Sequence, residues 1–122
     1  MLDKVIKGRK GEEEAAVLLK KKGYKIIEKN YRCRFGEIDI IAKDGGTLVF
    51  VEVKARTSDR FGTPKCGVDF RKQRHMTLAS SCYIVERGIG DLDVRFDVVS
   101  IELKNGGSSE IIKDAFEAVE FE

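Results

Sequence analysis

From Gly36 to Arg56 the chain alternates apolar and polar residues in two runs divided by a turn signal. Ile38, Ile40 and Ala42 alternate with Glu37, Asp39 and Ile41, the period of two expected of a half-buried strand. Asp44-Gly45-Gly46 marks a tight turn, because glycine reaches positive φ at no steric cost. Thr47 to Ala55 is rich in β-branched and aromatic residues and reads as a central strand. Its polar exceptions are Glu52 and Lys54. An acid and a base inside such a strand are costly to bury without a partner or a metal.

Elsewhere the pattern switches to the helical period. Gly8 to Lys22 predicts a helix after a loose segment, Met1 to Lys7, with acids in its first turns, lysines in its last and Gly23 as its stop. Ala15, Ala16, Leu18 and Leu19 define its apolar arc. Glu12 falls inside that arc at 100° per residue, whereas Glu13 and Glu14 fall outside, so Glu12 is expected to lean toward the sheet. Taken alone, a rim acid stabilised by the helix dipole is the simpler account of Glu12. Tyr24 to Arg34 reads as an outer strand, and Arg56 to Gly67, with the only proline, as a loop. Asp69 to Arg87 predicts a second long helix with Asp69 as a possible N-cap. His75, the only histidine, lies on its broad arc and reads as a packed or hydrogen-bonded residue in preference to a ligand.

Gly88 to Asp93 is a turn, and Val94 to Leu103 a strand. Glu110 to Lys113 suits a short edge strand, and Asp114 to Glu122 an acidic tail expected to fray. The expected fold class is therefore α/β, a mixed sheet flanked by two long helices in the order α-β-β-β-α-β, as one domain over residues 1–113. No apolar run approaches the ~20 residues of a membrane span and no signal peptide is visible, so the expected location is the cytoplasm, with no membrane partner. Cys33, Cys66 and Cys82 form no CxxC pair, and read as reduced, structural thiols.

The net charge of +2 conceals an asymmetry. Residues 1–74 hold 19 Lys+Arg against 11 Asp+Glu, and residues 75–122 hold 4 against 10. The basic part carries the hairpin, which makes a polyanion such as nucleic acid the expected partner; a solvated surface explains the charge alone about equally well. Arg32, Arg34, Arg56, Arg60, Lys65 and Lys72 are the candidate nucleic-acid contacts.

Strand parity draws the chemistry together. Leu48, Phe50, Glu52 and Lys54 share one face of the second strand, and Glu37, Asp39 and Ile41 one face of the first. If Gly45-Gly46 is the loop, Asp39 lies opposite Glu52 and Glu37 opposite Lys54; if Asp44-Gly45 is the loop, Asp39 is diagonal to Glu52. Either register puts Asp39, Glu52 and Lys54 in one patch, and a three-residue loop would break it. With Glu12 leaning in, three carboxylates can converge beside an amine, which suits Mg²⁺ or Mn²⁺. Such an ion activates water and neutralises charge on phosphorus, and Lys54 can orient that water or stabilise the transition state.

The Asp39-x(12)-Glu52-Val53-Lys54 arrangement resembles the PD-(D/E)XK nuclease signature, and the helical Glu12 resembles the extra acid of its Holliday-junction-resolvase-like members. GEEEA from Gly11, NYRCRFGEIDIIA from Asn30, LVFVEVKAR from Leu48 and RFDVVSIEL from Arg95 resemble the YraN-type family of small uncharacterised bacterial proteins over roughly residues 8–103. The resemblance implies a restriction-endonuclease-like core, Asp39 and Glu52 as metal ligands, Lys54 as catalytic lysine and Glu12 as auxiliary acid. It departs from the signature at Ile38, where the proline of the name would stand. It implies a candidate Mg²⁺- or Mn²⁺-dependent endonuclease acting on DNA, with branched or structured DNA as the candidate substrate and a homodimer as the candidate assembly. The alternative is a non-catalytic nucleic-acid-binding module that keeps the fold.

Overall fold

The computed structural model describes residues 2–56, 67–102 and 108–121, with side chains from residue 11 to residue 55 in the first stretch. Its elements are α1 (Leu2–Lys21), β1 (Lys25–Cys33), β2 (Gly36–Asp44), β3 (Thr47–Arg56), α2 (Phe70–Glu86), β4 (Asp93–Glu102) and β5 (Ser109–Phe116). The strands form one mixed sheet in the order β1-β2-β3-β4-β5. Only β3 and β4 run parallel, and α2 connects them; the other neighbours are antiparallel. This is the α/β class expected, with one strand more than the expected order. Among the described residues no helix is long and apolar enough to cross a membrane.

The sheet is buried on both faces. Ile41, Leu48, Phe50 and Val98 pack with Met76, Ala79 and Tyr83 of α2. Ile40, Val49, Val51 and Val99 pack with Ala15, Ala16 and Leu19 of α1. Each such side chain removed from water stabilises the fold by about 1.5–3 kcal/mol. β3 lies third of five strands and its Leu48 to Val51 are all at most 1% exposed, which explains a nearly continuous apolar run.

Local chemistry sets the ends of the elements. Gly23, at φ +91°, ends α1; its N–H donates to the Lys20 carbonyl, and the Tyr24 N–H to that of Leu19. These paired bonds satisfy carbonyls the helix leaves open. Asp69 caps α2 by accepting from the Lys72 N–H at 2.8 Å, as its position predicted.

Two elements differ from expectation. α1 starts at Leu2 and includes the segment read as loose. Residues 2–7 contain no proline, and Gly8 and Gly11 each cost a helix only about 1 kcal/mol relative to alanine. β5 is longer than the short edge strand expected and takes in Asp114 to Phe116, the start of the supposed tail. The Phe116 ring stacks on Phe96 at 4.9 Å, and the Val119 N–H donates to Thr77 Oγ1 at 3.0 Å. The Phe116 ring and the Val119 backbone thus tie the acidic stretch to the rest of the fold. Arg60, Lys65 and Cys66 lie outside the described residues.

Candidate metal centre and its surroundings

Gly45-Gly46 is the hairpin loop, since Asp44 pairs with Thr47 and the ladder runs regularly to Ile40 opposite Val51. Of the two registers considered, this is the one that sets Asp39 opposite Glu52. The ladder stops there. Beyond it Asp39 Oδ2 accepts from the Val53 N–H at 2.8 Å, so a side chain replaces the next backbone rung. The strands open at that point, and the acid sits in the opening.

On the other side of β2, Asn30 falls between the pairs Lys29–Ile40 and Tyr31–Ile38 and has φ +55°. A non-glycine residue in that conformation is uncommon, though asparagine tolerates it best. The face of β2 changes beside it. Ile38 was expected to share a face with Ile40 and Ala42, but it packs with Tyr31 and Ile41 on the α2 side, while Ile40 and Ala42 stay on the α1 side. The kink and the interrupted ladder place Asp39 between the two faces, within reach of both helices.

From α1 comes Glu12, half-buried and hydrogen-bonded to the Asn30 side chain. Its inward lean was expected. Ligand oxygens of Glu12, Glu37 and Asp39 all lie within 4.8 Å of one another, a grouping that could hold a metal ion. Glu52 is outside this trio but shares a hydrogen bond with Asp39. Glu37 is therefore the acid that sequence reasoning missed: parity had put it beside Asp39, but it was read as facing Lys54. Its cation is Arg32, at 3.6 Å.

Glu52 faces α2. It is 4% exposed and has Lys72 Nζ at 3.5 Å and Lys54 Nζ at 3.7 Å. Lys72 was expected to reach a phosphate; here it reaches the acid, which makes it a second amine of the site. A cavity of about 320 Å³ opens beside these groups, lined by Glu52, Lys54, Lys72 and His75 among others. His75 is exposed at the rim of this cavity, so of the two expected states, packed or hydrogen-bonded, the packed one is corrected. Arg34 is exposed and stacks on Phe35 at 4.7 Å. Arg56 ends β3 opposite Glu102.

The electrostatics follow from crowding. Burial, the bond to Glu52 and the charge of Glu52 push the Asp39 carboxyl up to about 7, against the opposing pull of the Val53 N–H and Lys72. Two carboxyls in contact favour holding one proton between them. Burial, and then the charges of Asp39 and Glu37, also raise Glu12, opposed by Asn30 and Lys29. The surroundings thus disfavour the charged forms of Asp39 and Glu12, by burial first and by neighbouring carboxylates second.

Cys33 and Cys82 are both free thiols and meet between β1 and α2, hydrogen-bonded to one another, with burial pushing the Cys82 thiol up.

The model of the uncharacterised protein family UPF0102 matches residues 11–101. A UPF0102 protein of Syntrophus aciditrophicus is 51% identical over 111 residues, covering 90% of this chain and 87% of that protein. One of Persephonella marina is 45% identical over 100 residues, 82% of this chain and 86% of that protein. One of Moorella thermoacetica is 44% identical over 113 residues, 90% and 94%. The match spans α1 to β4 and so includes every acid of the site.

Proposed function

We propose a function for this chain, which belongs to the UPF0102 family: it is a metal-dependent endonuclease that hydrolyses phosphodiester bonds in DNA. The observation that carries the reading is the position of Asp39, which joins the Glu12–Glu37 acids on one side to Glu52, Lys54 and Lys72 on the other. The sheet and its two helices are compatible with a restriction-endonuclease-like core, and the acid-x-lysine step on β3 supports that placement.

The donor set fits Mg²⁺ or Mn²⁺. All its donors are carboxylate oxygens, the preference of hard cations, and they are close enough to share one ion. A divalent cation would also relieve the repulsion that holds Asp39 up. Glu12, Glu37 and Asp39 would hold it, with Glu52 supporting Asp39. When bound, such an ion activates water and offsets charge on phosphorus.

The chain's own residues do the rest. Asp39 must lose its proton before it can ligate, which makes loading pH-dependent. Lys54, a third exposed and tethered at Glu52, orients the attacking water or faces the charge that develops as one P–O bond forms and the other breaks. Lys72 holds Glu52 in place through a 3.5 Å contact. We place this activity in the cytoplasm, on branched or structured DNA. Symmetric cuts across a branch need two sites and hence a homodimer; sedimentation giving only monomer on DNA would remove that part.

The test is a panel of branched, flapped and duplex DNAs with Mg²⁺ or Mn²⁺. Wild type should cut at least one, and Glu52→Ala and Lys54→Ala should cut none while remaining folded. One observation favours a second reading, a non-catalytic DNA-binding module: two lysines already neutralise Glu52 without a metal. That module would bind DNA equally in EDTA, lose affinity steeply with salt, and cut nothing.

A further inference from the structure

A second cavity, of about 530 Å³, adjoins the one beside Glu52 and shares Arg71 and His75 with it. Its lining includes Arg34, Phe35, Phe70, Arg71, Arg74 and His75. These come from the β1–β2 turn and the first turns of α2. Three guanidiniums and an imidazole face this space, and its lining contains no carboxylate. Arg34 lies over the Phe35 ring at 4.7 Å, and Arg74 over Phe121 at 5.1 Å. The Phe70 ring is 63% exposed.

Phe70 shares this lining with Phe35 and Leu78 among three arginines, so one groove offers both an aromatic stacking face and cations for phosphates. We infer that this groove binds a single strand of nucleic acid, with an unstacked base on Phe70 and flanking phosphates on Arg34 and Arg71. A duplex supplies the phosphates, but its bases are stacked and cannot reach the ring. An unpaired strand supplies both, since every base offers a π-face and guanidiniums track the backbone. The occupant is thus chosen by charge and by the aromatic together. The groove continues into the cavity at Glu52, Lys54 and Lys72, so a strand held here would enter the acidic centre from its α2 side. That last step rests on the nuclease reading; the strand binding does not.

The test is fluorescence anisotropy of the full chain in EDTA. The probes are labelled 12-nucleotide single-stranded DNA, single-stranded RNA of the same sequence, and a blunt DNA duplex. The single strands should bind more tightly than the duplex, and the DNA and RNA arms tell which sugar is preferred. Phe70→Ala should weaken single-strand binding by about tenfold and leave duplex binding unchanged, and Phe70→Trp should restore it. Arg71→Ala should weaken both and flatten the salt dependence. Phe70 and Arg71 are both exposed, so these variants should fold as wild type does. Equal affinity for duplex and single strand, or a Phe70→Ala variant that binds like wild type, would overturn the inference. Cleavage assays with Mn²⁺ separate the two claims. Single-strand binding without any cleavage refutes the nuclease and leaves the groove, whereas cleavage with no dependence on Phe70 leaves the nuclease and refutes the path from the groove into the acidic centre.

Discussion

The sheet gathers acids at two places, and they are handled in opposite ways. Asp97, opposite Val51 on β4 and linked through Arg95 to the hairpin turn, is fully buried yet fully satisfied. It accepts from the Tyr24 hydroxyl at 2.7 Å, from Arg95 Nε at 2.9 Å and from the Asp114 N–H at 2.9 Å. Arg95 extends the network to Asp44 at 2.7 Å, and Lys113 adds a second cation there at 3.5 Å. The Arg95 guanidinium holds the Asp44 carboxyl below its ordinary range. At the open end of the same hairpin, Glu12, Glu37 and Asp39 crowd together, and Asp39 is pushed up. The first arrangement is closed by the protein's own donors and contributes to stability. The second is left electrostatically incomplete, and a group from outside can complete it. Buried acids alone would not separate the two; whether the chain supplies its own counter-charge does.

Breaking the closed network should have the largest effect. Arg95→Ala leaves Asp97 buried without its cation and should cost about 3–5 kcal/mol in urea denaturation. Asp39→Asn should do the reverse: it removes a carboxylate that burial and Glu52 disfavour. Its stability at pH 8 should match wild type or exceed it by roughly 1–2 kcal/mol, while any cleavage is lost. A variant unfolded as badly as Arg95→Ala would mean that the open end is structural too.

The two ends should also differ in sign with pH. The folded pKa of Asp39 is raised, so without metal its contribution to stability falls as pH rises from the ordinary aspartate range toward about 7. Asp44 is lowered; its contribution is present above the unfolded value and is lost as pH falls through the folded one. Thermal melts of Asp39→Asn and Asp44→Asn against wild type from pH 3 to 8 resolve the two. Mg²⁺ should raise Tm more at pH 8 than at pH 6, because it competes with the proton on Asp39, and EDTA should reverse the gain. The smallest effect belongs to an exposed pair remote from both ends. Arg87→Ala, which breaks a 2.7 Å contact with Glu28, should cost no more than about 1 kcal/mol.

Much of this geometry could be read before any coordinates. Glycines at 45 and 46, the alternation of β3 and the cap at Asp69 are local signals, and each held. The convergence of Glu12 on Asp39 came from combining a helical wheel with strand parity. Parity failed where the strand ceases to be regular. Beside Asn30, whose φ is positive on β1, Ile38 lies on the α2 side and Glu37 near Glu12, and alternation cannot anticipate such an irregularity. An asparagine in the outer strand, facing the acidic segment, was the available hint. The exposure of His75 and the Lys72–Glu52 contact were not legible for another reason: both depend on where α2 packs across the sheet, which is a tertiary fact. β5 was underestimated because Phe116 finds its partner, Phe96, on a distant strand.

The most direct measurement is a Mn²⁺ titration of the metal-free chain at pH 8, followed by the loss of the free-ion paramagnetic resonance signal. One ion per chain should bind to wild type and to Asp44→Asn, binding should weaken in Glu37→Gln, and it should vanish in Asp39→Asn. No uptake by wild type, or uptake that Asp39→Asn leaves intact, would contradict a cation site at the open end of the hairpin.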